Sequence, residues 1–295
     1  MKSDRQMDCE ALASELMHGA YDLHLHSSPS VFPREIDGME LVREADAAGM
    51  AGVMLKSHYE PTALRAALIN KYSGCTTAKA LGALVLNWPV GGLNVYAVEE
   101  AVKAGAKIIW MPTRDAANSL DFGNMDGDFF NRPGISPVGD DGKLKKEVYA
   151  IMEVVKRAGV YLATGHIRPA ESVLLCQEGR KQGVNMILTH PEFPRTLVAP
   201  EVQAELGALG VLIEHNWLNV AMGSISIEDM AAHIRQAGVE NSFISTDRGQ
   251  KGFPSPVKEL KVFIQELLKQ GFTEEELDIL VRKNPAAVAE SRPAK

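Results

Sequence analysis

Six times along this chain a stretch that reads as a helix ends near a glycine and gives way within a few residues to a continuous apolar run. The phrases are ADAAGMAGVMLKSH, AVKAGAKIIWMPT, VKRAGVYLATGH, RKQGVNMILTH, LGALGVLIEHN and IRQAGVENSFISTD. Glycine is sterically cheap in the left-handed turn that ends a helix, and unbroken apolar runs suit strands covered on both faces. Adding YDLHLH and KALGALVLN gives eight strands, beginning near Tyr21, Gly52, Leu81, Ala106, Gly159, Val184, Gly210 and Asn241. Alternating helices and strands form βαβ units with parallel strands. Eight units predict an α/β chain closed into a distorted (β/α)8 TIM barrel, with an open doubly wound sheet as the alternative. A leading helix is expected near residues 6 to 18, and a helical extension after Pro254.

The 295 residues fit one such barrel, and no linker divides them, so residues 1–295 are expected to form a single domain. The exception to short loops is residues 114–144, rich in Gly, Asp and Asn, with Phe122, Phe129 and Phe130. A connection of that length suggests a lid or hairpin insertion, and GISPVGDDGKL reads as a hairpin turning at Asp-Gly. The 45% hydrophobic content is that of an ordinary globular protein. A net charge of −7 without a basic run argues against nucleic acid and membrane partners and for a small molecule. Cys9, Cys75 and Cys176 form no CxxC pair, and the N-terminus lacks a leader's apolar stretch, so the expected location is the cytoplasm.

Six of the eight histidines, His24, His26, His58, His166, His190 and His215, fall at the ends of predicted strands, while His18 and His233 lie on helices and are read as inert. Barrel enzymes build their sites at the C-terminal ends of strands, so these imidazoles converge on one face. In Asp22-Leu23-His24-Leu25-His26 the period of two sends Asp22, His24 and His26 to one side and both leucines toward the helices. Asp247 closes FISTD as His166 closes LATGH and His190 closes MILTH. N/O ligands without cysteine suit a divalent metal, zinc first, with Mn2+, Fe2+ or Co2+ open. Arg34, Arg114, Arg168, Arg195 and Arg248 follow strands on the same face, and a guanidinium fork suits a carboxylate-bearing substrate.

With these residues in place, the chain resembles the amidohydrolase superfamily of metal-dependent barrel hydrolases, through an uncharacterised bacterial branch marked by DLHLHSSPS and LKSHYEPT. The resemblance spans most of the chain and includes Asn284-Pro285-Ala286. It implies metal ligands at His24, His26, His166, His190 and Asp247. It also implies hydrolysis of an amide, lactam or lactone by a metal-activated water, with Asp247 moving the proton and His190 ligating a second metal or stabilising the oxyanion. A metal-dependent decarboxylase or isomerase uses similar ligands. The polymerase-and-histidinol-phosphatase phosphoesterases share the opening motif, but Arg248, not His, follows Asp247 here. Binuclear relatives carry a lysine or glutamate on strand four, where this chain has IIWMPT. Lys56 on strand two is placed to substitute, as a carboxylated bridge or as an ammonium gripping substrate. Lys56 therefore joins Asp247 and His190 as a catalytic candidate, and His58, Arg34, Arg114, Arg168 and Glu192 are the substrate-binding ones. Glu192 and Glu214 are further ligand candidates, and only one of Glu214 and His215 can face inward. A homo-oligomer is compatible with all of this.

Overall fold

The computed structural model describes residues 4–123 and 131–292. Its strands are β1 Tyr21–Leu25, β2 Gly52–Leu55, β3 Lys79–Val85, β4 Ala106–Trp110, β5 Tyr161–Ala163, β6 Asn185–Leu188, β7 Leu212–Asn216 and β8 Ser242–Ser245. Each starts within two residues of its expected position. The helices are α1 Asp4–Met17, α2 Gly38–Ala47, α3 Ala63–Tyr72, α4 Val95–Lys103, α5 Ala117–Phe122, α6 Lys146–Ala158 and α7 Pro169–Lys181, followed by α8 Pro200–Ala208, α9 Trp217–Ala221, α10 Ile227–Ala237, α11 Pro256–Lys269, α12 Glu274–Asp278 and α13 Asn284–Ala289. No helix among the described residues is long and apolar enough to cross a membrane.

Local chemistry sets these boundaries. Asp37 accepts from Met39 N and Glu40 N at 2.8 Å, and Glu40 accepts from Asp37 N at 3.3 Å, so α2 begins in a capping box. Gly159 ends α6 at φ 67°, the left-handed turn that the recurring glycine predicts.

The strands pair in parallel in sequence order, β1 through β8, which is the barrel and not the open sheet. The last joint is made just beyond the strand ends: Asp247 N donates to His24 O at 2.7 Å and His26 N to Arg248 O at 2.8 Å. At Gly249, φ 120°, a Cβ would stand 1.8 Å from His26 O, so only glycine lets the chain pass this seam.

Apolar residues fill two layers. Met54, Val85, Ile108, Trp110, Ala163, Ile187 and Phe243 pack inside the barrel, whose floor is closed by Val288 and Ala289 of α13. Leu25, Val53, Leu55 and Ile244 face α1, α2 and α11, while Ile109, Leu162, Met186 and Ile213 belong to the layer under α4, α6, α7 and α8. Burying each Val, Leu, Ile, Met or Phe among them stabilises by roughly 1.5–3 kcal/mol. One expectation fails. Leu25 faces the helices, but Leu23 packs inside the barrel with Met54, because the β1–β2 register shifts between Asp22 and Leu25 and breaks the simple alternation.

Around the 114–144 segment, Val138 bridges Leu144 antiparallel about Asp141-Gly142, the expected hairpin reduced to one bridge. Phe129 and Phe130 lie outside the described residues.

Candidate metal centre

His24 and His26 leave β1 fully buried, and Asp247 leaves β8 across the seam. Asp247 Oδ1 lies 3.2 Å from His24 Nε2 and 3.0 Å from His26 Nε2, and ligand atoms of all three fall within 4.8 Å of one another. The backbone at Asp247 is left-handed, φ 52°, as is His190 at φ 30°. They are the only non-glycine residues so bent among the described residues, and both are candidate ligands; strain of this kind collects at functional sites.

The protons on these rings can be assigned from their neighbours. The Lys56 carbonyl only accepts, so His26 Nδ1, 3.0 Å away, carries the hydrogen that it donates. Burial first, and then the Arg34 charge, push the His26 pKa down to about 3. Neutral His26 therefore turns a lone pair on Nε2 toward the Asp247 carboxylate oxygen, an arrangement that repels unless a cation stands between them. Similarly, His24 Nδ1 donates to Glu214 Oε1 at 2.6 Å, which aims Nε2 at the same place. Burial acts to lower the His24 pKa, but the Asp247 and Glu214 carboxylates outweigh burial and the Lys56 ammonium and raise it to about 9. Burial would raise the Asp247 carboxyl, yet the charge of His24 beside it holds it well below the usual range. Two imidazole nitrogens and a carboxylate oxygen, aimed at one point, fit a divalent metal.

His190 and His166 stand next to this group, without joining the three within 4.8 Å. Their rings are 5.0 Å apart, and His190 is 5.7 Å from His24. The Thr196 hydroxyl donates to His190 O at 3.1 Å, so it accepts from His190 Nδ1 at 3.0 Å and leaves Nε2 as a buried lone pair without a partner among the described residues. His166 Nδ1 is 3.5 Å from Ser119 Oγ. Glu214, not His215, faces inward.

Lys56 points into the barrel top above Met54, as the alternation of β2 requires. Its Nζ is buried without a hydrogen-bond partner among the described residues, 5.4 Å from the Trp110 ring. Burial lowers its pKa to about 8 against the pull of Asp247 and Glu214. Trp110 occupies the inward position at the end of β4 and packs 5.6 Å from His24.

Above these groups opens a cavity of about 300 Å3 lined in part by His58, His166, Arg34, Arg114 and Asp247. His58 is held through Nδ1 by Thr113 Oγ1 at 2.9 Å. Two predicted substrate residues are elsewhere. Glu192 turns away to His215 Nδ1, 2.9 Å, and His233 Nδ1, 3.5 Å, because the chain reverses at His190. Arg168 pairs with Asp121, and with Glu171 at 3.4 Å, at the start of α7. Arg248 pairs with buried Glu259, whereas Arg195 does line the cavity. Sequence reading passed over Phe32, Phe193, Thr196 and Asn87. Asn87 donates from Nδ2 to His58 O and Thr113 Oγ1 at 2.8 and 2.7 Å, and only its place at the end of β3 marks it.

The sequence matches the family of unknown function DUF6282 over residues 19–214. The chain belongs to that family. The match takes in His24, His26, Lys56, His166, His190 and Glu214, and stops short of Asp247. No curated protein matches the sequence. Among solved structures, this DUF6282 member is similar to an amidohydrolase from Pseudomonas aeruginosa, 16% identical over 96% of this chain and 98% of the other, with a TM-score of 0.66. A candidate 2-pyrone-4,6-dicarboxylic acid hydrolase from Pseudomonas putida is 14% identical over 92% and 97%, TM-score 0.53. The organophosphorus hydrolase from Deinococcus radiodurans is 15% identical over 94% and 93%, TM-score 0.57. At these identities the likeness is one of fold.

Proposed function

We propose that this DUF6282 protein is a metal-dependent hydrolase of the amidohydrolase superfamily, acting on an amide, lactam or lactone bond of a small, carboxylate-bearing molecule. The observation that carries the reading is the lone pair of His26 Nε2 set against the Asp247 carboxylate, with His24 Nε2 aimed at the same point. That the fold neighbours named above are all hydrolases supports it. His24, His26 and Asp247 would hold the cation, with His166 and His190 next to it; the N/O donor set suits zinc, then manganese, iron or cobalt.

A cation held there supplies charge that polarises the scissile carbonyl and makes a water acidic near neutral pH. The chain's residues do the rest. Asp247, ionised and lining the cavity, takes the proton from the attacking water and returns it to the leaving nitrogen or oxygen. His190, whose hydrogen is committed to Thr196, has only a lone pair to offer, which favours a ligand role over the donation of a hydrogen bond to an oxyanion. The Lys56 ammonium supplies that positive charge instead. Arg34 and Arg114 orient the substrate's carboxylate from the cavity wall.

The test is metal content together with a panel of lactones, lactams, N-acyl amino acids and phosphomonoesters. Asp247→Asn keeps the size and the left-handed tolerance of the residue; we expect a folded protein with turnover lowered about 10²–10⁴-fold. Full activity of that variant, or wild-type turnover of phosphomonoesters alone, would overturn the reading.

A further inference from the structure

The imidazoles around the cavity differ in where their hydrogen sits. His24, His26 and His190 each donate from Nδ1, to Glu214, to the Lys56 carbonyl and to Thr196, and so keep Nε2 for a cation. His58 is the reverse case, and the reason begins at Asn87. Thr113 N and Asp115 N donate to Asn87 Oδ1 at 2.9 and 3.1 Å, which fixes which end of the amide is the carbonyl. Asn87 Nδ2 then gives one hydrogen to His58 O at 2.8 Å and the other to Thr113 Oγ1 at 2.7 Å. Thr113 is fully buried, and among the described residues its own hydroxyl hydrogen has one acceptor within reach, His58 Nδ1 at 2.9 Å. A buried donor left without an acceptor is costly, so the hydroxyl donates and Nδ1 accepts. An imidazole that accepts at Nδ1 carries its hydrogen on Nε2. That nitrogen has no lone pair to give a cation; it can only donate.

Its place suits a donor. His58 lines the cavity, half-buried, with its ring 4.9 Å from that of His26 and 6.3 Å from that of His166. Nδ1 is held in the wall, so Nε2 is the polar edge left for the space beside the candidate centre. Lys56, two residues earlier, lines the same cavity. The charge of an ammonium has no direction, whereas the N–H of a ring does, and Thr113 and Asn87 fix it before any ligand arrives. Donors set in advance in this way act most strongly on an oxygen that gains negative charge.

We propose that His58 is a catalytic residue that donates from Nε2 to the carbonyl oxygen of the scissile bond, with Thr113 and Asn87 as positioning residues that keep its hydrogen on that nitrogen. This rests on the hydrolytic reading above. As the water oxygen bonds to the carbonyl carbon, the carbonyl electron pair moves onto the oxygen and the His58 hydrogen bond tightens. When the pair returns and the bond to the leaving atom breaks, the leaving atom takes its proton from Asp247. His58 keeps its own hydrogen throughout.

Two kinds of measurement test this. Nitrogen NMR of protein labelled with 15N-histidine reads the tautomer, and His58→Gln identifies the His58 signals by their loss. We expect a bare Nδ1 and a protonated Nε2, a preference that Thr113→Val abolishes. Glutamine also keeps a donor near the place of Nε2, whereas His58→Phe keeps a flat ring without one. On the best substrate of the panel, His58→Phe should lower kcat about 10²–10³-fold with KM changed by less than about threefold, and His58→Gln should recover at least about tenfold of that loss. Should His58→Phe fail to fold, Thr113→Val, which leaves the ring in place, should also lower kcat more than it raises KM. Binding of acetohydroxamate, an oxyanion that seeks the metal, should weaken about tenfold in zinc-loaded His58→Phe and be restored in His58→Gln, read by calorimetry. Hydrogen on Nδ1 in the wild type, undiminished kcat in His58→Phe, or His58→Gln no better than His58→Phe overturns the proposal. Acetohydroxamate affinity that depends on His58 as expected, in a protein that turns over no lactone, lactam or amide, keeps the donor and sinks the hydrolytic reading. Hydrolysis by a protein whose His58 carries its hydrogen on Nδ1 does the reverse.

Discussion

His24 Nδ1 donates to Glu214 Oε1 across 2.6 Å, with both side chains shut away from solvent. The carboxylate fixes which nitrogen carries hydrogen and turns Nε2 toward Asp247. Partners of this kind are worth about 10–100-fold in metal affinity. Glu214→Gln should therefore lose about 10–100-fold in affinity for zinc, measured by chelator competition, with its circular dichroism unchanged. Undiminished affinity would mean that the ring is held by packing alone.

Metal loading should also release a proton. Without a cation the His24 pKa stands near 9, so at neutral pH its Nε2 carries a hydrogen that the metal must displace. Protonation competes with binding. Apparent affinity should rise about tenfold per pH unit on approach to that pKa from below and level off above it. Titrations in two buffers of different ionisation enthalpy read the proton directly, and an affinity indifferent to pH would refute the assignment.

Lys56→Met separates stability from activity. The substitution nearly keeps the volume while removing a buried ammonium that has no hydrogen-bond partner among the described residues. We expect an unchanged or higher Tm together with turnover reduced about 10²–10³-fold, the cost of losing one group that stabilises developing charge. Near-normal turnover would make Lys56 a packing residue.

Glu192 predicts behaviour in acid. Burial acts to raise its carboxyl, but the charge and hydrogen bond of His215, with His233 Nδ1 3.5 Å away, outweigh it and bring the pKa down to about 2. A pKa depressed on folding gives stability that is complete above the unfolded value of 4.5 and lost as pH falls toward 2. The full contribution is on the order of 3 kcal/mol. Glu192→Gln should be less stable than wild type at neutral pH, and the gap should narrow between pH 4.5 and 2. A gap that is constant with pH would show that the pair contributes by packing only.

The fold was legible because helix-ending glycines and apolar runs are local signals, and they located all eight strands. The ligand candidates were legible for a related reason: a residue at the end of a barrel strand has its position set by the barrel. What escaped depends on details that no period encodes. The register shift in β1 sends Leu23 inward, and the left-handed turn at His190 carries Glu192 away from the cavity toward His215 and His233. His233, read as inert on its helix, is one of those partners. Arg168 and Arg248 resemble Arg34 in sequence position, but Asp121 and Glu259 claim them, and ion pairs between distant segments leave no trace in spacing.

The hydrogen bonds that join the first strand to the end of the last run through the residues that would hold the cation: Asp247 N meets His24 O, and His26 N meets Arg248 O. His24 and Asp247 are more than two hundred residues apart in the order of synthesis. A nascent chain therefore presents the two histidines long before it can supply Asp247, and has no complete centre until then. On the proposed reading, metal capture would act as an inspection of the finished barrel: a chain that had failed to close would have nowhere to put the ion, and one that had taken it would be held shut at its own joint.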